Sequence, residues 1–170
     1  MIKIITIYCD GSCKANGKEN SAGGFGVAVY ENDKLIDAYQ HFSSPTTNNA
    51  EEMKAIIWAL NKYGVPKDSF QYPVVYSDSA YCVNTFNSWI FNWKDNGWIK
   101  SDKNPPENLQ LLKLYDTIYT ELGKRIELRK VKGHSGIAGN ELVDGLATGK
   151  IRIKRGDNNS FELQGYKQSF

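Results

Sequence analysis

Three observations predict an α/β fold in this chain. Three strand-like segments follow one another near the start with only turn-rich stretches between them, which predicts consecutive antiparallel strands. Apolar runs then alternate with amphipathic segments, which is typical of strands and helices layered on one sheet. A length of 170 residues with 41% hydrophobic residues suits one domain with a substantial core. We expect a single domain over residues 1–150 and a polar C-terminal appendage over 151–170 that is partly flexible.

The first half of the chain divides into three strands and a helix. Residues 3–9 (KIITIYC) are β-branched and aromatic, which predicts a buried strand, and Asp10 follows directly. The stretch FGVAVYENDKLIDAYQHF predicts two further strands joined by a turn at residues 31–34. A helix is predicted from about residue 50 to residue 63, because its apolar residues recur at helical spacing and Gly64 follows.

Strands and helices alternate in the second half. A fourth strand (YPVVYSD) leads into a helix (SAYCVNTFNSW), and residues 87–108 are rich in tryptophan and lysine with a Pro-Pro break. A helix over about residues 107–122 precedes the last strand, RIELRKVK. A glycine-rich loop (GHSGIAG) then leads into a final helix that contains NELVD.

Four acidic residues stand where strands or helices would direct them inward: Asp10, Glu52, Asp78 and Asp144. Asp78 follows an apolar run, at the carboxyl end of a strand, where open α/β sheets bind ligands. Carboxylates that converge from distant parts of a chain repel one another unless a cation lies between them. Hard divalent cations such as Mg2+ or Mn2+ are the natural partners, and two metals held by carboxylates are typical of phosphodiester chemistry.

Helical phase distinguishes the two adjacent acids of the first helix. The apolar stripe of that helix consists of Met53, Ile56, Ile57 and Leu60. At about 100° per residue, Glu52 lies roughly 90° from the centre of the stripe, whereas Glu51 lies nearly opposite it. We therefore predict that Glu52 faces the sheet from the edge of the buried face and that Glu51 faces water.

Composition argues against several classes of protein. The net charge is only +2, so bulk charge gives no argument for nucleic-acid binding. Cys9, Cys13 and Cys82 form no CxxC pair, which argues against a zinc site and for reduced thiols. No run approaches the roughly 18 apolar residues of a membrane span, and the start resembles no signal peptide. We expect a cytoplasmic protein without membrane contact.

Six motifs in order resemble the type 1 ribonuclease H family: DGSC, TTNNAEE, SDSAY, W-x3-W-x4-W, VKGHSG and NELVD. The resemblance spans about residues 3–148. It implies a ribonuclease H-like fold with a five-stranded mixed sheet, in which strands 1–3 are antiparallel and strands 4 and 5 run parallel to strand 1, flanked by helices. It also implies an endonuclease that cuts the RNA strand of an RNA–DNA hybrid and leaves 5′-phosphate and 3′-hydroxyl ends.

The resemblance implies roles for the acids and for one histidine. The four acids match the family's ligands for two Mg2+ ions, with Mn2+ as a possible substitute, and Asp10 matches the ligand that bridges them. One metal would activate the attacking water and the other would stabilise the leaving 3′-oxygen. His134 matches a loop histidine that assists catalysis and product release, and its ordinary pKa of about 6.5 suits proton transfer. Glu141 shares a helix face with Asp144 and either holds metal-bound water or is simply exposed.

Substrate contacts are implied in the same way. Asn48 would contact the RNA sugar edge, where the 2′-hydroxyl distinguishes RNA from DNA, and Asn16 and Thr47 would hold a phosphate of the DNA strand. The tryptophan-rich stretch matches the family's basic protrusion, which binds the DNA strand. Trp89 is expected to pack in the core, whereas the substrate would meet Trp93, Lys94, Trp98, Lys100 and Lys103. Ala80 stands where family members often carry glutamine, so one polar contact to the RNA strand is not expected here.

Two other interpretations remain open. A transposase, integrase or junction resolvase of the same fold shares carboxylate-bound metals, but such proteins usually carry further segments for which this chain has no room. A hybrid-binding module without catalysis would require a lost carboxylate, and all four are present. We expect a monomer that acts on the RNA–DNA hybrid without an obligate protein partner.

Overall fold

A five-stranded mixed sheet forms the centre of the molecule, and the computed structural model describes residues 2–16 and 18–166. Its strands are β1 (Ile5–Lys14), β2 (Ala22–Glu31), β3 (Lys34–Ser43), β4 (Val74–Ser77) and β5 (Glu127–Lys130). The spatial order is β3-β2-β1-β4-β5. The first three strands are antiparallel, and β4 and β5 run parallel to β1. The predicted fold class is therefore confirmed.

Helices flank this sheet. The described residues form α1 (Asn48–Tyr63), α2 (Ala80–Asn84), α3 (Ile90–Asp95), α4 (Leu109–Asp116) and α5 (Ala138–Thr148). A π-helical turn, Thr85–Trp89, joins α2 to α3, and a second, Thr117–Glu121, follows α4. The helix predicted over about 107–122 thus begins at Leu109 and ends in a wider turn. Within the part of the chain that the structure describes, no helix has the length and apolar character needed to cross a membrane.

The end of β1 and the turn between β2 and β3 can both be compared with the prediction. β1 continues beyond Asp10 because β2 pairs with it as far as Lys14 and Ala22, so the strand predicted over residues 3–9 was too short. The turn between β2 and β3 was predicted correctly. Its residues Asn32 and Asp33 have φ of 48° and 70°, a left-handed conformation that Asn and Asp tolerate in two-residue hairpin turns.

The two faces of the sheet carry separate cores. Ile7 and Cys9 of β1 belong to the cluster that α1 covers, whereas Tyr8 packs against the cluster that α5 covers, as the alternation of side chains along a strand requires. The larger core includes Val27, Val29, Met53, Ile56, Leu60, Val75 and Phe86. The smaller core consists of Ala28, Ala38, Leu142, Val143, Leu146 and Ile151.

The C-terminal segment forms a hairpin of β6 (Arg152–Arg155) and β7 (Phe161–Gln164). A smaller pair, Val65–Pro66 with Lys124–Arg125, lies elsewhere in the chain. Gln40 of β3 joins the hairpin to α5. Its Nε2 donates to the carbonyl oxygens of Leu146 at 3.0 Å and Ile151 at 2.9 Å, and its Oε1 accepts from the N–H of Ile153 at 2.8 Å. The expected flexibility of the appendage falls in part on residues 167–170, outside the described residues.

Candidate metal centre and substrate surface

Asp10 and Asp78 are neighbours because of the register of two parallel strands. β1 and β4 are paired at Cys9 and Ser77, so the next residue of each chain segment is one of these acids. Neighbouring strands lie about 4.8 Å apart, which brings both carboxylates to the same edge of the sheet. β4 ends there while β1 continues, so Asp78 lies just beyond a strand end and Asp10 lies within β1 beside it.

Glu52 reaches the same place from α1, and Gly11 allows the close approach. A Cβ on Gly11 would collide with the backbone nitrogen of Glu52, so a side chain at this position would force β1 and α1 apart. Carboxylate oxygens of Asp10, Glu52 and Asp78 lie within 4.8 Å of one another. Asp10 and Glu52 are each only 5% exposed, and Asp78 is half-buried.

Two hydrogen-bond donors orient these carboxylates. The hydroxyl of Ser77, a fully buried residue, donates to Glu52 Oε2 at 3.1 Å and accepts from the N–H of Ser79 at 3.2 Å. The N–H of Gly11 donates to Asp10 Oδ1 at 2.9 Å. Ser77 was not predicted from the sequence, although it is adjacent to Asp78 in the SDSAY motif. The available signal was a polar residue in the apolar run of β4, where a buried hydroxyl requires a partner.

Asp144 approaches on α5, which lies across β2 at Gly26. Gly26 is the β2 partner of Asp10, and a Cβ there would lie 2.8 Å from the carbonyl oxygen of Val143 and 2.6 Å from Leu146 Cβ. The glycine thus lets α5 lie close to the sheet beside Asp10. The charge of Asp144 is near enough to raise the pKa of Asp10. Its carboxylate is not one of the three whose oxygens come within 4.8 Å of one another.

Electrostatics set this group apart from an ordinary acidic surface. The pKa of Asp10 is raised to about 7, first by burial and then by the charges of Asp78 and Asp144, while hydrogen bonds involving Glu52 and Gly11 lower it. Burial, followed by the hydrogen bond and charge of Asp10, raises the pKa of Glu52 well above its ordinary value. None of the ion pairs among the described residues involves the three clustered acids. A bound cation would therefore favour their ionised forms, and such hard oxygen donors suit a divalent cation.

Glu51 does not face water, and that prediction was wrong. The residue is fully buried, and its Oε2 lies 2.9 Å from Lys54 Nζ and accepts a hydrogen bond from Thr46 Oγ1 at 3.3 Å. Helical phase measures only the direction relative to the apolar stripe. It missed the loop before α1, whose Thr46 contacts Glu51 in the first turns of the helix.

The loop after β5 borders the centre at Asp78. A Cβ on Gly133 would lie 3.1 Å from Asp78 Oδ2, so His134 directly follows a residue that borders the acids. His134 is exposed and has φ of 53°, which is uncommon for a residue other than glycine. Glu141 is exposed in the first turn of α5.

Asn16, Thr47 and Asn48 meet at the start of α1. Asn16 Oδ1 accepts a hydrogen bond from the backbone N–H of Asn48 at 2.7 Å. Thr47 caps the helix, and its Oγ1 accepts from the N–H of Ala50 at 3.1 Å. Asn16 and Asn48 are exposed, so their remaining amide groups are available to a ligand.

The prediction that Trp89 packs in the core was wrong, and Trp93 and Trp98 are half-buried, so part of each ring remains exposed. Trp89 is 38% exposed, whereas Trp93 and Trp98 pack against the larger core. The π-helical turn that ends at Trp89 adds a residue to one turn and so rotates the helix that follows. This rotation directs Trp93 towards the larger core.

The basic residues of the same segment are partly neutralised. Lys94 Nζ lies 3.1 Å from Asp116, and Lys100 Nζ lies 3.5 Å from Asp102. Lys103 is exposed with φ of 71°. The positive charge that this segment can present to a polyanion is therefore smaller than its lysine content suggests.

The fold and the centre together define an α/β protein whose carboxylate cluster lies at the ends of its central parallel strands. The family model for RNase H matches residues 3–152 of this chain. The chain belongs to the ribonuclease H family, as its motifs predicted, and it is an endoribonuclease.

Relatives named ribonuclease H span nearly the same length. The protein of Clostridium botulinum is 35% identical over 147 residues, which cover 86% of this chain and 94% of that protein. The protein of Actinobacillus succinogenes is 38% identical over 170 residues, which cover 99% of each, so this match includes the C-terminal hairpin.

Solved structures agree with the fold. LC9-RNase H1, described as a type 1 RNase H with the type 2 active-site motif, matches with a TM-score of 0.71 and 27% identity over 87% of this chain and 72% of that chain. LC11-RNase H1, crystallised in complex with an RNA/DNA hybrid, matches with a TM-score of 0.60 and 21% identity over 85% of this chain and 94% of that chain.

Proposed function

We propose that this protein hydrolyses the RNA strand of RNA–DNA hybrids with the help of two divalent cations and leaves 5′-phosphate and 3′-hydroxyl ends. The observation that carries the proposal is the cluster of Asp10, Glu52 and Asp78, whose oxygens lie within 4.8 Å of one another. Family membership supports a hybrid as the substrate.

The proposed metal ligands are the three clustered acids together with Asp144. Their oxygens are hard donors, and the raised pKa of Asp10, about 7, reflects buried negative charge without a cation in the chain to balance it. Mg2+ is the expected ion, with Mn2+ as a substitute. When bound, the ions would supply Lewis acidity for activating water and for neutralising charge on the leaving oxygen.

The chain's own residues would position the reacting groups and move protons. Ser77 and Gly11 hold the carboxylates of Glu52 and Asp10 in place. His134, next to the residue that borders Asp78, is the proposed proton carrier during turnover and product release. Glu141 is exposed one helical turn before Asp144, from which it could hydrogen-bond a water molecule at the centre.

Recognition of RNA is assigned to the start of α1. Asn48 is the proposed sensor of the 2′-hydroxyl, and Asn16 and Thr47 are the proposed ligands of a DNA phosphate. The hydrogen bond from the Asn48 backbone N–H to Asn16 Oδ1 holds the Asn16 side chain at the start of α1, next to Asn48. The tryptophan-rich segment is the proposed second contact with the DNA strand, through Trp93, Lys94, Trp98 and Lys100.

All these residues belong to one chain, so the proposed site needs no second subunit. We therefore propose that the protein acts as a monomer. We also propose the cytoplasm as its location. Residues 1–150 would be the catalytic domain, and residues 151–170 would be its appendage.

Cleavage of matched labelled duplexes tests the proposal. The protein is incubated with an RNA–DNA hybrid, duplex RNA, duplex DNA and single-stranded RNA of one sequence, with Mg2+ and with EDTA. Cleavage of the RNA strand of the hybrid only, abolished by EDTA, is the expected result, and end-labelling identifies the products. Equal cleavage of single-stranded RNA, or activity in EDTA, would contradict the proposal. Cleavage of duplex DNA would favour a transposase-like or resolvase-like nuclease instead.

A further inference from the structure

A basic recess lies on the α5 side of the sheet, next to the candidate metal centre. Its volume is about 420 Å³, and its lining includes Ser12, Lys14, Phe42, Thr148 and Arg152. No acidic residue lines it within the part of the chain that the structure describes. A recess of this composition is suited to an anion.

Two residues that line the recess lie close in the chain to two of the acids. Ser12 follows Asp10 by two residues in β1, so its Cα lies about 7 Å further along the strand. Thr148 follows Asp144 by four residues in α5, about 6 Å along the helix axis, and its Oγ1 donates to the Asp144 carbonyl oxygen at 3.0 Å. A strand of nucleic acid that passes the acids along β1 would enter the recess within a few nucleotides.

The charge of the recess is fixed in place and not balanced by the protein. The guanidinium of Arg152 lies 4.5 Å from the centre of the Phe42 ring, and its Nε donates to the carbonyl oxygen of Gly149 at 3.2 Å. These contacts hold the side chain while leaving its terminal nitrogens for a ligand. Among the described residues, neither Arg152 nor Lys14 takes part in an ion pair. Lys94 and Lys100 of the tryptophan-rich segment, by contrast, are both paired with acids.

We propose that Lys14 and Arg152 bind a backbone phosphate of the hybrid where one strand leaves the acidic centre. A guanidinium presents a planar set of donors that matches two phosphate oxygens, and an ammonium adds a point charge. The hydroxyl of Ser12 offers a further donor at the wall. The inference rests on the proposed function, because it extends the nucleic-acid surface of that site to the first residue of the C-terminal hairpin.

Salt-dependent binding tests this inference without cleavage. A labelled hybrid of about 20 base pairs is titrated with Asp10→Asn protein at roughly 50 to 250 mM NaCl, where each lost phosphate contact flattens the logarithmic salt slope by about one unit. Adding Lys14→Ala and Arg152→Ala is expected to flatten the slope by about one unit, because one phosphate contact is lost. Lys154→Ala is the matched control, since Lys154 lies on the same face of β6 opposite Glu162 and should leave the slope unchanged.

Single variants separate lost charge from lost structure. Lys14→Ala removes an exposed side chain and should flatten the slope by less than the double variant does, at an unchanged thermal midpoint. Arg152→Lys keeps the charge and should restore part of the affinity that Arg152→Ala loses. A double variant with an unchanged slope would overturn the inference.

Neutral methylphosphonate linkages, introduced one at a time in either strand, would locate the contact. The Asp10→Asn protein should lose affinity at one position, and the variant that also lacks Lys14 and Arg152 should lose none there. Equal sensitivity of both proteins at every position would exclude the recess as a phosphate site. Failure of the Asp10→Asn protein to bind the hybrid at all would remove the proposed function and this inference together.

Discussion

Asp37 and the cluster around Asp10 differ in how the protein balances their negative charge. At Asp37 in β3, Lys62 Nζ lies 2.8 Å from Oδ2, Tyr63 donates to the same oxygen at 2.6 Å, and Arg155 lies 3.7 Å from Oδ1. Burial alone would raise the pKa of Asp37, but the hydrogen bonds from Lys62 and Tyr63 and the charge of Lys62 lower it. This carboxylate is held ionised by groups within the chain.

The neighbours of Asp10 act in the opposite direction. Its neighbours are further acids, and its pKa is raised to about 7. The same sheet therefore balances the charge of the half-buried Asp37 within the chain and leaves the Asp10 cluster to be balanced by a cation from outside. The difference indicates that Asp37 has a structural role. It supports the proposed metal-binding role of the Asp10 cluster, whose mutual repulsion would cost stability in the absence of a cation.

The largest expected effect comes from Asp10→Asn. Loss of a proposed metal ligand should reduce cleavage of a hybrid by at least about 100-fold, since even groups that only support metal ligands contribute 10- to 100-fold. The thermal midpoint without metal should hold steady or rise, because repulsion within the cluster falls. Turnover and thermal unfolding of the same sample check both parts. Asp37→Asn is the control and should keep most activity; a lower midpoint for Asp10→Asn would mark Asp10 as structural.

Mg2+ itself should distinguish the two groups. A ligand at about 100 times its dissociation constant stabilises the native state by about 2.7 kcal/mol. We expect a gain of this order for the unmodified protein and for Asp37→Asn, measured by urea unfolding with and without Mg2+. The gain should vanish in a protein carrying both Asp10→Asn and Glu52→Gln. An equal gain in that double variant would show that Mg2+ binds elsewhere.

Glu51 and Glu52 are adjacent in α1, but the charge of Glu51 is balanced within the chain, as that of Asp37 is, whereas Glu52 belongs to the Asp10 cluster. Glu51 is balanced by Lys54 at 2.9 Å, so Glu51→Gln should destabilise the protein by about 1 to 2 kcal/mol, a value reduced by the partial exposure of Lys54, with little direct effect on turnover. Glu52→Gln should instead remove most activity and leave stability unchanged or higher. Urea unfolding and single-turnover cleavage of both variants measure the contrast. A severe loss of turnover with Glu51→Gln alone would contradict it.

The smallest effect is the one expected for Asp37→Asn, about 1 kcal/mol at neutral pH, because the partly exposed partners are screened by solvent. The pKa of Asp37 is lowered in the folded protein, so its contribution is present above its ordinary value of 3.8 and is lost as pH falls through the lowered folded value. The destabilisation by Asp37→Asn should therefore disappear in acid.

Asp10 should show the reverse dependence on pH in metal-free protein. Because its folded pKa is raised from 3.8 to about 7, its contribution is fully present below 3.8 and is lost as pH rises through about 7. Any gain in stability from Asp10→Asn should therefore grow between these two values. Urea unfolding of both variants from acid to pH 8 in EDTA measures the two trends. Parallel trends would show that the protein balances the negative charges of Asp37 and Asp10 in the same way.

Much of the fold followed from local patterns. The β-branched runs, the turn at Asn32 and Asp33 and the period of α1 predicted three antiparallel strands and a helix, because each pattern is set within a few residues. The five-stranded mixed sheet was implied by the family resemblance. The convergence of Asp10, Glu52 and Asp78 was also predicted, since motif residues at strand ends and helix starts meet at one edge of the sheet.

The errors lie where contacts outside the apolar stripe bury a residue, or where a helix changes its period. Burial of Glu51 depends on the loop at Thr46 and on Lys54. The packing of Trp93 depends on a π-helical turn that no spacing of apolar residues revealed. The recess could not be predicted, because Lys14 and Arg152 come together only when the hairpin packs beside α5.

The three hydrogen bonds of Gln40 have a consequence for folding kinetics. This side chain can engage Leu146, Ile151 and Ile153 only after β3 and α5 are assembled, so these bonds should form after the rate-limiting step of folding. Gln40→Leu should then accelerate unfolding while leaving the refolding rate nearly unchanged. Stopped-flow measurements would show this as a shift in one limb of the chevron, and a matching loss of refolding rate would place the hairpin in the nucleus. In the native protein, the hairpin should exchange its amide hydrogens through local opening, well before the central sheet does.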